Sequence, residues 1–496
     1  MNIGELIAFI LYFLLVVGIG VYFFLKTKGG DEKDYFLGGR KMNSWVTALS
    51  AQASDMSAWL LMGLPGSILA YGMGKVWIAI GLLIGTILNW IYVAPRLRKF
   101  SKIANDSITI PQYLSNRFAG GHMLLQVICA SVFFVCYAVY AASSFKACGL
   151  LFNSVLGIDY NIATLIATCI ILLYTFLGGF AAVCWTDFYQ GMIMLVALMI
   201  TPIVAFIAIG QGNTLDIGTA VGISEHYWNL LPSGKFDWAS ASSIISGLAW
   251  GLGYFGMPHI LVRFMSIKKV SMIKKSRIIA LVWVVAALTA AVAVGLVGRI
   301  FIPGLSNQDS SLVFIHMARN LFPPFIAGIL LSGILAASMS TADSQLLVSA
   351  SAITSDIYKP LRKNASNKEI LWIGRAVVMI ITIIAFFIAI NPKSGSIMDL
   401  VENAWAGFGS AFGPVILLSL FWKKCTYKGA VAGIFGGTVA DVLWLMFLSS
   451  STGVYELLPG FIIGFICAVL VSKSDAKNII DSSSYFESAN KATDEE

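Results

Sequence analysis

An aspartate and a group of helix-breaking residues interrupt one long apolar stretch. The stretch, AQASDMSAWLLMGLPGS at residues 51–67, contains Asp55 together with Gly63, Pro65 and Gly66. A carboxylate in hydrocarbon is costly, and backbone carbonyls without helical partners are tolerated only where they line a cavity or contact protein. Two interpretations fit: a binding site at a broken helix, or a kinked helix whose Asp55 is satisfied by a neighbouring helix.

A second set of oxygen atoms lies in the motif ILAASMSTADSQLL. Ala337, Ser340 and Thr341 stand at positions i, i+3 and i+4, so they share one helix face. Hydroxyls and carbonyls are neutral, hard ligands, which suit an alkali cation better than a transition metal or a proton. Ser and Thr are also common packing residues between membrane helices. The triplet therefore indicates a cation site more strongly only if freed backbone carbonyls lie beside it. The role of Asp343 stays open.

A third motif, WGLGYFGMPHILVRF, supplies aromatic rings. Trp250, Tyr254 and Pro258 recur every four residues, which predicts one helical stripe. Glycines between them would let a small solute approach the rings. Such stripes are equally common in helix cores and in interfacial belts, and the residues alone leave both interpretations open.

Three further polar residues lie within apolar runs. Tyr140 and Lys146 are six residues apart and so lie on different helix faces, and Lys146 can extend its amine to the outer surface. Asp187, in CWTDFYQ, begins a run near its inner end. There it suits either a gate or a charge at a helix amino terminus.

Charge and hydropathy indicate the setting of these residues. Of 496 residues, 12% are charged and 58% hydrophobic, and the mean hydropathy is +0.83, which excludes a soluble globular chain and indicates a multi-pass membrane protein. The seven cysteines form no CxxC pair and the four histidines are scattered, so neither a metal cluster nor an enzymatic centre is predicted. The net charge of +8 fits basic loops at a membrane surface rather than nucleic-acid binding.

The apolar runs predict an all-α protein with about thirteen membrane spans. They cover residues 4–26, 44–71, 75–98, 122–152, 160–178, 181–210, 238–264, 276–303, 324–355, 370–391, 399–422, 428–449 and 453–472. Cytoplasmic loops collect Lys and Arg. If the amino terminus is outside and the carboxyl terminus inside, the cytoplasmic segments hold all but six of the 33 basic residues. Arg263 and the terminal residues Lys473, Lys477 and Lys491 are counted in these segments; the six exceptions are Lys75, Lys146, Lys235, Arg299, Arg319 and Lys393.

The two ends of the chain receive separate predictions. The first apolar run is preceded by Glu5 rather than by basic residues, so we expect a retained helix and not a cleaved signal peptide. The polar segment 473–496 is expected to be a disordered cytoplasmic tail, too short for an appended signalling or catalytic domain.

Five long motifs resemble the sodium/solute symporter family, and the match is closest to its proline-transporting branch. They are YFLGGRKMNSWVTALSAQASDMSAWLLMGLPG, YTFLGGFAAVCWTD, WGLGYFGMPHILVRFM, AGILLSGILAASMSTADSQLLVSASAIT and AWAGFGSAFGPV, within residues 33–472. The resemblance implies a LeuT-type fold of two inverted five-helix repeats. It divides the chain into a first helix and loop (1–43), repeat one (44–210), an extracytoplasmic loop (211–237), repeat two (238–422), two further helices (423–472) and the tail (473–496).

The same resemblance implies roles for individual residues. Sodium ligands would be the backbone carbonyls of Ala53, Met56 and Ala337 and the hydroxyls of Ser340 and Thr341, with Asp55 nearby as an electrostatic contributor. Solute-binding positions would be Ser57, Gly63, Tyr140, Trp250, Tyr254 and Pro258, and residues for coupling or gating would be Arg40 and Asp187. Ala58 departs from the pattern, because glycine is expected there in the proline-transporting branch.

The function expected from this resemblance is sodium-coupled import of L-proline by alternating access, in a bacterial cell membrane. Sodium would be the coupling ion, membrane lipid the surroundings, and no obligate protein partner is evident. A symporter of the same fold for pantothenate, or for another amino or carboxylic acid, is the nearest alternative. A channel or a membrane sensor is the alternative from another class.

Overall fold

Regular structure in the described residues is helical, apart from one isolated parallel bridge between Met42 and Ile267. The structure is a computed structural model that describes residues 2–26, 32–118, 123–177, 179–217, 221–475 and 479–491. Its α-helices are α1 (Ile3–Lys26), α2 (Glu32–Leu37), α3 (Ser44–Asp55), α4 (Leu64–Tyr71), α5 (Val76–Leu88), α6 (Ala94–Ile103), α7 (Ile110–Arg117), α8 (Leu124–Leu156), α9 (Tyr160–Leu177), α10 (Phe180–Gly210), α11 (Trp238–Ala249), α12 (Pro258–Ser266), α13 (Ile273–Phe301), α14 (Val313–Leu321), α15 (Pro324–Ile353), α16 (Lys359–Leu361), α17 (Asn367–Ile390), α18 (Ile397–Phe421), α19 (Tyr427–Phe447), α20 (Ser449–Thr452), α21 (Leu457–Ser474) and α22 (Ile479–Lys491). Short 3-10 or π-helical segments lie at Gly38–Arg40, Trp59–Gly63, Gly72–Lys75, Asn89–Val93, Trp250–Phe255, Val270–Met272, Ser310–Leu312, Thr354–Tyr358 and Pro392–Ser394.

The chain is a multi-pass membrane protein. Among the described residues, ten helical runs are long and apolar enough to cross a membrane, and eleven are if the bent pair Trp238–Phe255 and Pro258–Ser266 counts as one span. The 45-residue run Trp59–Ile103 covers parts of two predicted spans. It is not one straight helix, because Gly72 has φ +80° and ψ −160°. The number thirteen stays a prediction.

The second predicted span is broken between α3 and the π-helical segment that follows. Asn43 fixes the start of α3, since its side chain accepts hydrogen bonds from the N–H groups of Trp45 and Val46. α3 ends at Asp55, and Met56 leaves the helical conformation with φ −87° and ψ 81°. We call residues 56–58 the first break.

The break predicted at Gly63, Pro65 and Gly66 is therefore wrong in position. Gly63 ends the π-helical turn, and Pro65 and Gly66 lie in α4. Pro65 stands in the first turn of α4, where a missing N–H costs little. Gly66 permits a close approach, since a Cβ there would lie 2.9 Å from the backbone of Ser311. These residues govern packing after the break.

The seventh predicted span has a second break, at Gly256 and Met257. α11 continues as the 3-10 segment Trp250–Phe255, Met257 is extended, and α12 begins at Pro258 after a bend of 44°. Two residues four positions apart differ by about 120° in direction around the axis of a 3-10 helix, compared with about 40° around the axis of an α-helix. The predicted stripe of Trp250, Tyr254 and Pro258 is therefore not regular.

The two breaks lie against the most buried helices. In the most apolar stretch of each span, 83% of the residues are buried for α15 and 89% for α18, compared with 28% for α1. α15 packs against α3, α8 and α10, and α18 packs against the 3-10 segment after α11. α5 crosses α11 and the 3-10 segment at very short range, because a Cβ on Gly81 would lie 2.3 Å from the carbonyl oxygen of Gly247, and a Cβ on Gly85 would lie 2.3 Å from that of Gly251.

Two further expectations are corrected. Arg263, counted with a cytoplasmic loop, is a buried residue of α12 with 1% of its surface exposed. The tail expected to be disordered contains α22, whose Phe486 ring contacts Phe100 on α6 and whose Tyr485 hydroxyl donates to the Ile103 carbonyl. The loop residues Lys28 and Lys477, and the span ends at 122 and 178, lie outside the described residues.

Candidate functional site

The first break frees backbone carbonyl oxygens. In a continuous helix the Ser57 N–H would donate to the Ala53 carbonyl, but here it donates to the Asp55 carbonyl at 3.1 Å. The Ala53 carbonyl instead accepts hydrogen bonds from Ser340 Oγ at 2.8 Å and Thr341 Oγ1 at 3.5 Å. The break in one helix thus meets two hydroxyls of α15.

The other predicted cation ligands lie at the same junction. The Ala337 carbonyl oxygen is 3.2 Å from Ser340 Oγ. Met56 is buried at the break, and its carbonyl accepts no hydrogen bond from the described residues. Neutral carbonyl and hydroxyl oxygens suit a hard monovalent cation, and each hydroxyl can turn its hydrogen away to present a lone pair. The donor set therefore fits sodium; we call these five residues the oxygen cluster.

Asp55 connects the two breaks. Its Oδ2 atom accepts a hydrogen bond from the Tyr254 hydroxyl at 2.6 Å, and its Oδ1 atom is buried without a partner among the described residues. The Asp55 backbone carbonyl accepts from the Tyr140 hydroxyl at 3.2 Å and from Trp59 Nε1 at 3.3 Å. The carboxylate thus belongs as much to the aromatic side of the site as to the oxygen cluster.

The aromatic rings form a wall around the 3-10 segment. The Trp250 ring stacks on Trp405 and Tyr455 with centroid distances of 6.2 and 5.3 Å, and the Tyr254 ring meets Trp405 edge-on at 5.1 Å. Trp405 Nε1 also donates to the Trp250 carbonyl at 2.8 Å. Trp405 and Tyr455 were not predicted, although Trp405 lies in the motif AWAGFGSAFGPV. The wall is built by α18 and the residues before α21.

The remaining predicted solute residues flank the two breaks. Ser57 Oγ accepts from the Trp59 N–H at 3.4 Å. A Cβ on Gly63 would lie 3.4 Å from Met398 Sδ, so Gly63 faces α18. Pro258 is the first residue of α12. The structure buries all six predicted solute positions, which are Ser57, Gly63, Tyr140, Trp250, Tyr254 and Pro258.

Ala58 does not need to be glycine in this backbone. It has φ −54° and ψ −18°, a right-handed conformation open to every L-residue. It is also fully buried. The departure from the family pattern therefore leaves the first break intact.

A buried ion pair joins the helices of both breaks. Arg263 on α12 donates to Asp187 Oδ2 on α10 at 3.0 Å, and Ser50 Oγ on α3 donates to the same oxygen at 2.6 Å. Arg263 also donates to Ser50 Oγ at 3.0 Å and to Ser344 Oγ on α15 at 2.5 Å. Asp343 lies beside this network, where one of its oxygens accepts from Ser344 Oγ at 3.3 Å. Asp187 was predicted as a gate; its cation partner was not.

Arg40 lies away from both breaks, at one end of the helix bundle. Its guanidinium donates to Asp106 Oδ1 at 2.8 Å and to the backbone carbonyls of Ser107 and Met265, the latter on α12, at 2.8 and 2.5 Å. Burial by itself would raise the pKa of the Asp106 carboxyl, but hydrogen bonds and charges from Lys33 and Arg40 outweigh it and hold that pKa below its usual value. Arg40 thus ties the end of α12 to the loop after α6.

Lys146 belongs to neither site. Its amine donates to Ser394 Oγ at 3.3 Å and to the Gly395 carbonyl. It therefore bridges α8 to the segment that precedes α18.

Broken helices that gather oxygen atoms and aromatic rings between them are typical of secondary active transporters. A model of the sodium:solute symporter family matches residues 35–437. The osmoregulated proline transporter OpuE of Bacillus subtilis is 44% identical over 476 residues, covering 95% of each chain. The sodium/proline symporter of Haemophilus influenzae is 42% identical over 500 residues, covering 98% of each chain. The chain belongs to the sodium:solute symporter family.

Solved structures agree with the predicted fold. A substrate-bound, outward-open Na+-coupled sialic acid symporter has a TM-score of 0.76 at 18% identity, covering 95% of this chain and 98% of that one. MhsT in complex with L-phenylalanine has a TM-score of 0.55 at 14% identity, covering 88% and 98%. The LeuT-type fold is therefore confirmed, while the boundaries of the two repeats stay a prediction.

Proposed function

We propose that this protein imports L-proline together with sodium by alternating access. Family membership supports coupling to sodium, and the names of the two relatives above support proline as the solute. The observation that carries the proposal is the oxygen cluster, in which hydroxyls of Ser340 and Thr341 meet the freed carbonyl of Ala53.

In this proposal, sodium binds at the oxygen cluster and fixes the first break against α15. The carbonyl oxygens of Ala53, Met56 and Ala337 and the two hydroxyls would be its ligands. Asp55 contributes negative potential near the ion and keeps its hydrogen bond to Tyr254. Sodium binding therefore changes the free energy of an element that also touches the solute site.

Proline binds between the first break and the aromatic wall. Its apolar ring would pack on Trp250 and Tyr254, while Ser57 and Tyr140 border the side formed by the first break. Since Asp55 accepts hydrogen bonds from Tyr140 at its backbone and from Tyr254 at its carboxylate, the residue that lies near the ion also contacts the solute site. Shared neighbours give the two ligands a coupling free energy.

Transport requires the two breaks to move relative to each other. The Asp187–Arg263 pair, with Ser50 and Ser344, joins α3, α10, α12 and α15, so it can serve as the gate predicted for Asp187. Arg40 would act at the far end of α12. Inward movement of one sodium ion gains about 2.3 kcal/mol per 100 mV of membrane potential.

We further propose a cell-membrane location with the amino terminus outside. The support is the distribution of basic residues: with Arg263 assigned to α12, all but seven of the 33 lie in the segments that this topology places on the cytoplasmic side. Under this topology Arg40 and Asp106 are cytoplasmic.

Uptake by proteoliposomes tests the proposal. Labelled proline should accumulate with an inward sodium gradient and should not accumulate when potassium replaces sodium. A channel would instead pass sodium without proline, which a sodium-sensitive dye in the same vesicles would report. Pantothenate and other amino or carboxylic acids, added as competitors, distinguish proline from the alternative solutes; stronger inhibition by one of these than by unlabelled proline would contradict the assignment.

A further inference from the structure

The helix α22 near the end of the chain packs against α6 and α7. Its Tyr485 hydroxyl donates to the carbonyl of Ile103, the last residue of α6. The Phe486 ring meets the Phe100 ring of α6 edge-on, with centroids 5.5 Å apart. The guanidinium of Arg117 on α7 lies over the same Phe486 ring, 5.3 Å from its centroid. Adjacent residues of α22 thus contact both helices.

α22 also contacts the segment that follows α18. Ser483 Oγ donates to the Lys423 carbonyl at 3.3 Å, and the Lys423 amine lies 3.7 Å from Glu487 Oε1. Both side chains of this ion pair are more than half exposed, so the pair contributes little stability. The helix therefore bridges two parts of the chain that lie far apart in sequence, namely α6 with α7 and the end of α18.

The junction that α22 bridges is closed in this structure. Arg117 Nε donates to the Ser419 carbonyl of α18 at 3.0 Å, and the Tyr113 hydroxyl of α7 lies 2.9 Å from Ser419 Oγ. Arg117, Tyr113 and Ser419 are fully buried, and Phe100 is 1% exposed. Any separation of α7 from α18 at this end must break these contacts. It must also break the contacts of α22 with one of the two sides.

The same end of the protein is connected to the ion pair between α10 and α12. Tyr485 and Arg40 bond to one short segment, residues 103–107. Arg40 donates to the Ser107 carbonyl there and to the Met265 carbonyl of α12. α12 also supplies the cation that pairs with Asp187. Contiguous contacts therefore run from α22 to the predicted gate.

We infer that α22 is a clamp that holds this end of the protein closed and that its release favours opening towards the cytoplasm. The inference rests on the proposed function and topology, because alternating access requires this end to open in each cycle. Since α22 contacts both sides of the junction, its contacts stabilise the closed state over the open one. Removing them should shift the equilibrium towards the open state.

Two native cysteines distinguish opening from local uncovering. Cys184 on α10 is fully buried beside the Ser50 hydroxyl of the ion-pair network, whereas Cys425 is fully buried after α18, near Arg117. Variants that keep one of these cysteines carry alanine at the other six cysteine positions. The rate at which a maleimide modifies the remaining cysteine is measured without sodium or proline.

Phe486→Ala should raise the rate of modification of Cys184 at least about fivefold. A fivefold change corresponds to about 1 kcal/mol, which is in the range expected for one aromatic pair together with one cation–π contact. Tyr485→Phe removes only the hydroxyl donor and should raise the rate about two- to threefold, so it keeps the test decisive if Phe486→Ala folds poorly. Ser488→Ala, on the exposed surface of α22, is the matched control and should keep the wild-type rate.

The rate at Cys184 decides the outcome. Faster modification of Cys184 in the two test variants, with the wild-type rate in Ser488→Ala, supports the clamp. Faster modification of Cys425 alone would mean that α22 covers the surface without restraining opening, which would overturn the inference. Unchanged rates at both cysteines would overturn it as well.

Failure of the clamp is separable from failure of the proposed function. If wild-type protein shows no sodium-dependent proline uptake, proline symport is contradicted, while cysteine modification still tests the clamp because it uses neither ligand. If wild-type uptake is present and Cys184 keeps its wild-type rate in Phe486→Ala and Tyr485→Phe, the clamp alone is contradicted.

Discussion

The two broken helices expose opposite ends of the peptide backbone to the site. At the first break α3 ends, so the exposed groups are carbonyl oxygens such as that of Ala53. At the second break α12 begins, and its first backbone donor, the N–H of His259, is bonded to the Tyr137 hydroxyl. Carbonyl ends of helices favour cations and N–H ends favour anions. Helix polarity therefore places carbonyl oxygens at the first break and N–H groups at the second, and a cation is favoured only at the first.

The residues that contact each break also differ in polarity. Hydroxyl groups from α15 bond to the first break, whereas a tyrosine from α8 and two aromatic rings from α18 and the residues before α21 surround the second. The first break is therefore polar and compact, and the second is largely apolar. The following changes test whether these roles are separable.

The largest effect is expected at the ion pair that links the two breaks. Asp187→Asn leaves the Arg263 guanidinium buried without its countercharge, which typically costs about 3–5 kcal/mol of stability. We expect a large fall in the apparent melting temperature of the purified protein and little transport. The double variant Asp187→Leu with Arg263→Met should be more stable than Asp187→Asn; if it is less stable, the pair is not the source of the loss.

The next largest effect should fall on sodium alone. Ser340→Ala or Thr341→Ala removes one hydroxyl from the oxygen cluster, and loss of a contact to a charge costs about 1.5–3 kcal/mol. The sodium concentration for half-maximal proline uptake should rise by at least about tenfold. Ser338→Ala, a buried hydroxyl on the same helix, is the matched control. Unchanged sodium dependence in both test variants would contradict a sodium site at the first break.

At the aromatic wall we expect a smaller effect, which should fall on proline rather than on sodium. Trp250→Phe keeps a ring beside Tyr455 but loses part of the stacked area, and aromatic pairs contribute about 0.5–1.5 kcal/mol beyond burial. The proline concentration for half-maximal uptake should rise several-fold, and the sodium requirement should stay nearly constant. Equal changes in both would mean that the wall supports the fold rather than the solute.

The smallest effect is expected at the Arg40 end of α12. Because the folded pKa of Asp106 lies below its unfolded value of about 3.9, its contribution is complete above about pH 4 and is lost as pH falls through the lower folded pKa. Asp106→Asn should therefore lower the melting temperature slightly and equally at pH 5.5, 6.5 and 7.5. A loss that grows between pH 7.5 and 5.5 would contradict this assignment. The carboxylate is partly exposed, so the expected cost is about 1 kcal/mol or less.

The sequence allowed the local parts of this arrangement to be predicted. Helical spacing placed Ala337, Ser340 and Thr341 on one face, and the structure brings that face to the Ala53 carbonyl. The predicted break fell about seven residues from the true one, because proline and glycine near a helix start are compatible with helix. The glycine and proline residues therefore identified the broken span correctly, but not the residues at which the helix breaks.

Contacts between distant segments were not predictable in the same way. Trp405 on α18 and Tyr455 just before α21 join the wall from positions more than 150 residues after Trp250. Arg263 looked like a basic loop residue because a span predicted to end at 264 placed it at the boundary, and only the tertiary contact with Asp187 accounts for its burial. Hydropathy gives position along the membrane normal, not the identity of a partner.

The crossing of α5 and α11 restricts the degrees of freedom open to the transport cycle. At Gly81 and Gly85 the crossing leaves no room for a side chain on α5, since a Cβ there would lie 2.3 Å from the carbonyl oxygen of Gly247 in α11 or of Gly251 in the 3-10 segment that follows it. Such close backbone packing opposes sliding of one helix along the other, so we expect the two helices to move together. Two residues connect this pair to α12: Gly256, with φ −109° and ψ −7°, and the extended Met257. We therefore expect the angular motion of the solute site to be concentrated in the backbone dihedrals of these two residues.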